Sequence, residues 1–214
     1  MSVSVCERSA VMPVASGYWC ELNGELMQLA IVAMDETHLH GLTDMHRDRM
    51  SDEDNRMRFL GAISAESAGK SASDYCPVGA KAKHGGVGFI ALIGDRLVGQ
   101  ASWVNYPLDN EMVGEFSVAV DQNVRRLPVW EQDVAMSGGD AEPLTLAKVV
   151  LGELFFAAKK SGEITSLTAE ILFENQPSYK LVQSAAKRTG LEVKVAPDFE
   201  DSFYHITIPL PSAQ

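Results

Sequence analysis

Few side chains in this sequence have spacing that suggests chemistry. The three cysteines, Cys6, Cys20 and Cys76, form an odd set without metal-ligand spacing, so they read as reduced thiols rather than a disulfide framework or a zinc site. His38, His40 and His46 crowd one predicted helix, but His38 and His40 are two residues apart and point to different faces, so no metal is expected. Glu115 lies in the alternating apolar run Gly114-Glu115-Phe116-Ser117-Val118-Ala119-Val120. A carboxylate there either sits on a solvated strand face, as Glu111 on the same strand suggests, or is partly buried, where lost hydration raises its pKa. Asn175 directly precedes a predicted helix at Gln176 and would cap it. Ser137-Gly138-Gly139 could cradle a phosphate, but such short glycine clusters are more often plain loop. The chain has no Gly-Lys-Ser/Thr loop and no Gly-x-Ser-x-Gly elbow.

The elements that must position these residues follow from periodicity and turn signals. After the turn pair Asn23-Gly24, Glu25–Ala33 reads as a strand. Asp35 then caps a helix with Leu39, Leu42 and Met45 on one face, and Ser51 with Asp54 has capping-box spacing for a second. A short helix is expected over Ala65–Ser73 and a glycine-rich loop over 81–88. Gly88–Ile93 and Arg96–Asn105 flank the turn Gly94-Asp95, and Glu111–Val120 is a third extended run. From Asp121 to Pro143 the pattern dissolves into an insertion that is either functional or disordered and is expected to be mobile without ligand. Leu144–Ser161 is apolar nearly all round and reads as a buried helix. Strand Ser166–Phe173, helix Gln176–Thr189 with its stop at Gly190, and strands Leu191–Ala196 and Phe203–Pro209 complete the chain. This order predicts an α/β protein, a mixed central sheet flanked by helices, without internal repeats. Residues 1–17 read as an N-terminal arm and 18–214 as a single domain with an insertion at about 121–143.

Composition narrows the function classes. The 214 residues carry 18 Lys plus Arg against 29 Asp plus Glu, a net charge of −11, so a broad nucleic-acid surface is disfavoured. With 46% hydrophobic residues the chain can bury a real core. Glu7 and Arg8 interrupt the place where a signal peptide would need an apolar run, and no apolar stretch reaches membrane-spanning length; a cytoplasmic protein without a membrane partner is expected.

The element order and several local runs resemble the GNAT acyltransferase fold, the family that moves an acetyl group from acetyl-CoA to an amine. Within it, the bacterial protein-lysine acetyltransferase (Pat-like) branch is the most similar. The runs are Met50-Ser51-Asp52-Glu53-Asp54 followed by Arg56-Met57-Arg58-Phe59, and Ala169-Glu170-Ile171-Leu172-Phe173-Glu174-Asn175. The third is the Glu115 strand, for in such enzymes the central strand carries a glutamate followed by alternating apolar residues. The resemblance spans about Glu25 to Pro209.

This resemblance implies a catalytic role for Glu115. An amine arrives as an ammonium and must lose a proton before attacking a thioester, so the carboxylate would serve as general base. It further implies that Val118, Ala119 and Val120 line the coenzyme site, with a backbone amide near Val118 facing the developing oxyanion, and that Asn175 and Ser178 contact the CoA arm. A typical member holds the CoA pyrophosphate on a glycine-rich loop at a helix N-terminus. Here Arg125 stands in the family's Arg/Gln position, but Arg126, Leu127 and Pro128 replace the glycine pattern. Aligned from the helix side, Thr145 and Ala147 flank Leu146 where two glycines are usual. Helix-start amides at Thr145, Leu146 and Ala147 remain available whatever the side chains, so binding through them with Arg125 and Arg126 is one outcome. A noncatalytic GNAT-fold binding or regulatory module is the other. Many members place a tyrosine two turns into the next helix as general acid; Val182 stands there, so no general acid is assigned. The implied co-substrate is acetyl-CoA without a metal, and the implied partner is a small-molecule or protein amine, with room left for a homodimer.

Overall fold

The computed structural model describes residues 13–137 and 142–211. Its elements run β1 (Pro13–Leu22), β2 (Glu25–Ala33), a single 3₁₀ turn (Glu36–His38), α1 (Leu39–Asp48), α2 (Asp52–Arg58), α3 (Ala65–Asp74), β3 (Gly86–Ile93), β4 (Arg96–Leu108) and β5 (Glu111–Val120). The chain continues through β6 (Pro128–Glu131), α4 (Gln132–Ser137), β7 (Leu144–Thr145), α5 (Leu146–Ser161), β8 (Ser166–Leu172), α6 (Gln176–Thr189), β9 (Lys194–Asp198) and β10 (Phe203–Pro209). Among the described residues these strands form one sheet in the order β7-β6-β1-β2-β3-β4-β5-β8-β10-β9. The pair β5–β8 is parallel; the other described pairs are antiparallel.

Local chemistry sets most boundaries. Asp35 accepts from the Thr37 N–H, Ser51 from Asp54, Ser64 from Ser67, Thr145 from Lys148 and Asn175 from Ser178, so the 3₁₀ turn and helices α2, α3, α5 and α6 each start on a side chain that satisfies an orphan donor. At the far end of α6, Gly190 takes φ +67°, and the Leu191 N–H returns to the Ala186 carbonyl at 2.9 Å. That return keeps Leu191 at the helix end, so β9 begins at Lys194 rather than at Leu191 as the sequence predicts.

Helix α5 buries Val149, Val150, Leu151, Leu154 and Phe155 against one face of the sheet, where Phe155 meets Phe116 edge-on at 5.2 Å. The opposite face is covered over its middle by α1 and α3 through Leu42, Met45, Ala72, Val32, Ile90 and Ala119. Gly114 is required by this packing: a Cβ there would meet Trp103 Cδ1 at 2.8 Å and Ile164 Cδ1 at 2.9 Å.

Two expectations need correction. The strand β1 takes in residues 13–17 of the expected arm; register shifts between Pro13, Ala15 and Tyr18 break its alternation, which hides it from a periodicity reading. Residues 1–12 lie outside the described residues. The segment 121–143 is also more built into the fold than its composition suggests. β6 extends the sheet by pairing Tyr18–Cys20 with Val129–Glu131, Val129 is buried, and β7 pairs with β6. Four residues opened by a proline carry too little alternation to announce a strand, and pairing with β1 supplies the stabilisation. Trp130 stands opposite Trp19 in this register, at the sheet end remote from β8, and does not line the cleft described below. Of the candidate cradle, Ser137 ends α4, while Gly138 and Gly139 lie outside the described residues.

Candidate active site

The site is built where β5 and β8 part. Their parallel register runs from Val113 opposite Ser166 to Glu115 opposite Thr168 and stops there, although β5 continues to Val120 and β8 to Leu172. Side chains alternate across a strand, so Phe116 and Val118 face the α5 side while Glu115 and Ser117 face the α2 side. The resulting cleft of about 420 Å³ is lined by β5 from Phe116 to Val120, by Ala169 to Ile171 of β8, by the α2 residues Asp54, Met57 and Arg58, and by the first turns of α6.

The structure brings most of the sequence-predicted residues to this cleft. Val118, Ala119, Val120, Arg125, Ala147, Asn175 and Ser178 line it. Four do not: Arg126 is exposed away from it, Leu146 turns its side chain into the core, Thr145 spends its hydroxyl on the Lys148 N–H at 3.3 Å, and Glu115 lies just outside the lining. Thr145 is therefore the N-cap of α5 and the helix begins at Leu146, two residues later than the apolar run implies. Glu115 stands at the last paired position, just below the point of splaying.

Glu115 is an exposed residue of β5. Partial loss of hydration, followed by repulsion from Glu170 on β8, raises its pKa above the ordinary carboxylate value, while Arg58 opposes the shift. Glu170 is itself within 3.5 Å of His205 on β10.

Arg58 is the main site residue that spacing alone does not reveal. It closes α2 and sends its guanidinium under β5, donating to the Ser117 hydroxyl at 3.1 Å and the Val118 carbonyl at 3.4 Å. With the Gln100 amide oxygen turned toward it, Gln100 accepts from Nη2 at 2.8 Å. Burial pushes Arg58 down to about 10, so it stays charged at neutral pH; the electrostatic pull of Cys76 and Glu115 acts the other way. Behind it, His46 and Asn55 are fully buried and bonded, His46 Nδ1 to Asn55 Oδ1 at 3.1 Å and Asn55 Nδ2 to the His46 carbonyl at 2.9 Å, which locks α2 onto α1. The sequence run Arg56 to Phe59 marks this helix end, but nothing local says that Arg58 reaches β5.

No group is found in the general-acid position. Val182 is buried, and Tyr179 stacks on Tyr204 with ring centroids 4.8 Å apart. Among the described residues, no group of three or more His, Cys, Asp or Glu could hold a metal ion, and no helix is long and apolar enough to cross a membrane.

No known family profile matches the chain, and no curated protein matches it in sequence. Solved structures do match its architecture. The GNAT domain of S. lividans PAT superposes with a TM-score of 0.55 at 16% identity, over 88% of this chain and 93% of that one. A ribosomal-protein-alanine N-acetyltransferase from Brucella melitensis gives 0.50 at 18% identity, over 83% and 96%. An aminoglycoside acetyltransferase in complex with coenzyme A and kanamycin gives 0.52 at 11% identity, over 85% and 94%. A mixed sheet with one splayed parallel pair defines the architectural class. The superpositions specify it further: the chain has the GNAT acyltransferase fold.

Proposed function

We propose that this protein is an N-acetyltransferase that uses acetyl-CoA and an amine acceptor, a small molecule or a protein lysine. The observation that carries the reading is the break in β5–β8 pairing immediately after Glu115 and Thr168, which opens the cleft beside a carboxylate of raised pKa.

The residues present fit the coenzyme in most respects. The edges of β5 and β8, no longer paired with each other past Glu115 and Thr168, can take an extended polar chain between them, with Asn175 and Ser178 at one side. The first turn of α5 presents helix-start amides, and Arg125 offers a cation near them. Bound acetyl-CoA supplies an activated acyl thioester. The chain's own work is then to hold the acceptor, take its ammonium proton on a Glu115 carboxylate oxygen, and offer the backbone near Val118 to the developing oxyanion. Glu115 and Glu170 also make the acceptor side of the sheet acidic, which suits a cationic amine.

Thermal unfolding with and without acetyl-CoA tests the reading, because a ligand specific for the folded state raises the midpoint. A raised midpoint, with calorimetric binding to match, is expected; no binding at millimolar CoA would sink it. One observation favours a noncatalytic module instead: Arg125 is paired with Asp54, and the usual glycines are missing beside it. Failure to bind CoA would select that second reading.

A further inference from the structure

Charge around the cleft is arranged against an anionic ligand. Its lining includes the carboxylates Glu53, Asp54, Glu170 and Glu174 but only the guanidiniums Arg58 and Arg125. Arg125 is already engaged: its Nη1 donates to Asp54 Oδ1 at 2.8 Å. The nearby Arg56 is engaged as well, with Glu53 at 2.9 Å and with Glu174, beyond the end of β8, at 2.8 Å. Asp54 is held in place for this contact, since its other oxygen accepts from the Ser51 hydroxyl at 2.7 Å and its own N–H donates back to Ser51 at 3.1 Å. The acidic first turn of α2 is thus tied to the turn after β5, and α2 further along to the segment after β8, the two segments that border the cleft.

We infer that Asp54 sets the coenzyme affinity of this site, by holding with its carboxylate the guanidinium of Arg125 that a coenzyme phosphate would otherwise take. The inference rests on the proposed binding of CoA in the cleft. Both partners are partly exposed, with side-chain exposures of 26% and 46%, so the pair is easily exchanged. A phosphate makes charge-assisted, often bidentate bonds to a guanidinium where Asp54 offers Arg125 a single oxygen, and it displaces Asp54 at sufficient concentration. The displaced carboxylate stays tethered to Ser51 beside the phosphate and repels it. Coenzyme binding is therefore weaker than the same cleft would give with a neutral residue at 54.

Calorimetry with CoA on the parent, Asp54→Asn, Arg125→Gln and the double variant tests this. Asn keeps an oxygen for the Ser51 contact. Asp54→Asn should lower the Kd for CoA roughly two- to tenfold, with the gain shrinking at high salt. Arg125→Gln should weaken binding more in the Asp54→Asn background than in the parent, a non-additivity that only shared use of Arg125 produces. Equal or weaker binding by Asp54→Asn, or the same Arg125→Gln penalty in both backgrounds, overturns the inference while leaving the acetyltransferase reading intact. No CoA binding by any of the four overturns both. Should Asp54→Asn melt well below the parent, Asp54→Ser is judged by the same criteria.

Discussion

Arg58 donates to the Ser117 hydroxyl at 3.1 Å, so the end of α2 is fastened to β5 two residues beyond Glu115, on the same strand face. The buried cation and the candidate base thus share one side of the sheet, with Glu170 of β8 on the other flank of Glu115. Two opposed charges act on one carboxylate from different elements.

That geometry gives a signed pH prediction. Glu115 works as a base only when ionised, so activity should rise with pH through its raised pKa. Removing the repulsion in Glu170→Gln should move the acidic limb of kcat/KM to lower pH. Replacing Arg58 with Gln should move it to higher pH, and Arg58→Lys should restore much of the parent profile. Structural damage would lower rates without displacing the limb in opposite directions, so limbs that stay put reject the coupling.

His46 supplies a stability prediction. Burial, then the nearby charge of Arg58, holds its pKa down to about 3 against 6.5 for the free side chain. Below 6.5 the unfolded chain takes up a proton that the folded chain refuses, so stability falls as pH drops from about 6.5 toward 3. The slope attributable to this residue approaches about 1.4 kcal/mol per pH unit. Urea unfolding across that window should show a shallower dependence for His46→Gln, and an unchanged slope would show that His46 titrates normally.

Asn175 is expected to serve the fold independently of any ligand. Its side chain accepts from the Ser178 N–H at 3.2 Å, and Asn175→Ala removes that cap at a cost of about 1 kcal/mol. Asn175→Ser should recover most of the loss in denaturant midpoint. If Ala and Ser behave alike, the cap contributes little, and contact with a ligand becomes the stronger reason for asparagine at this position.

The sequence shows locally encoded features well and long-range ones poorly. Strands β2, β5 and β10 and helix α6 fall on the residues their alternation and caps indicate, because capping hydrogen bonds and side-chain period are decided within a few residues. Strands β1 and β6 escape a local reading because each is held by its neighbours in the sheet, β1 between β2 and β6 and β6 between β1 and β7. The cleft-lining residues of β5 were legible in the strand pattern and the family resemblance together. The approach of Arg58 to Ser117 was not, since 59 residues separate them and only the docking of α2 on the sheet joins them. Glu170 likewise lay in a recognisable run, but its closeness to Glu115 follows from parallel pairing across an inserted crossover.

The role of Glu115 is decided by its isosteric variant. Glu115→Gln keeps size and hydrogen-bonding capacity on a solvent-accessible strand position, so the unfolding midpoint should hold or rise slightly as repulsion from Glu170 disappears. CoA affinity should change little, because Glu115 stands at the last paired position and is not among the residues lining the cleft. Turnover with an amine acceptor should fall by roughly two to four orders of magnitude at neutral pH, the contribution of a positioned general base. The loss should narrow at alkaline pH, where the acceptor arrives already deprotonated and needs no base. Turnover unchanged at the pH where the parent is active would assign proton removal to solvent and leave Glu115 as a surface charge. A loss that persists undiminished to high pH would point to acceptor binding rather than proton transfer.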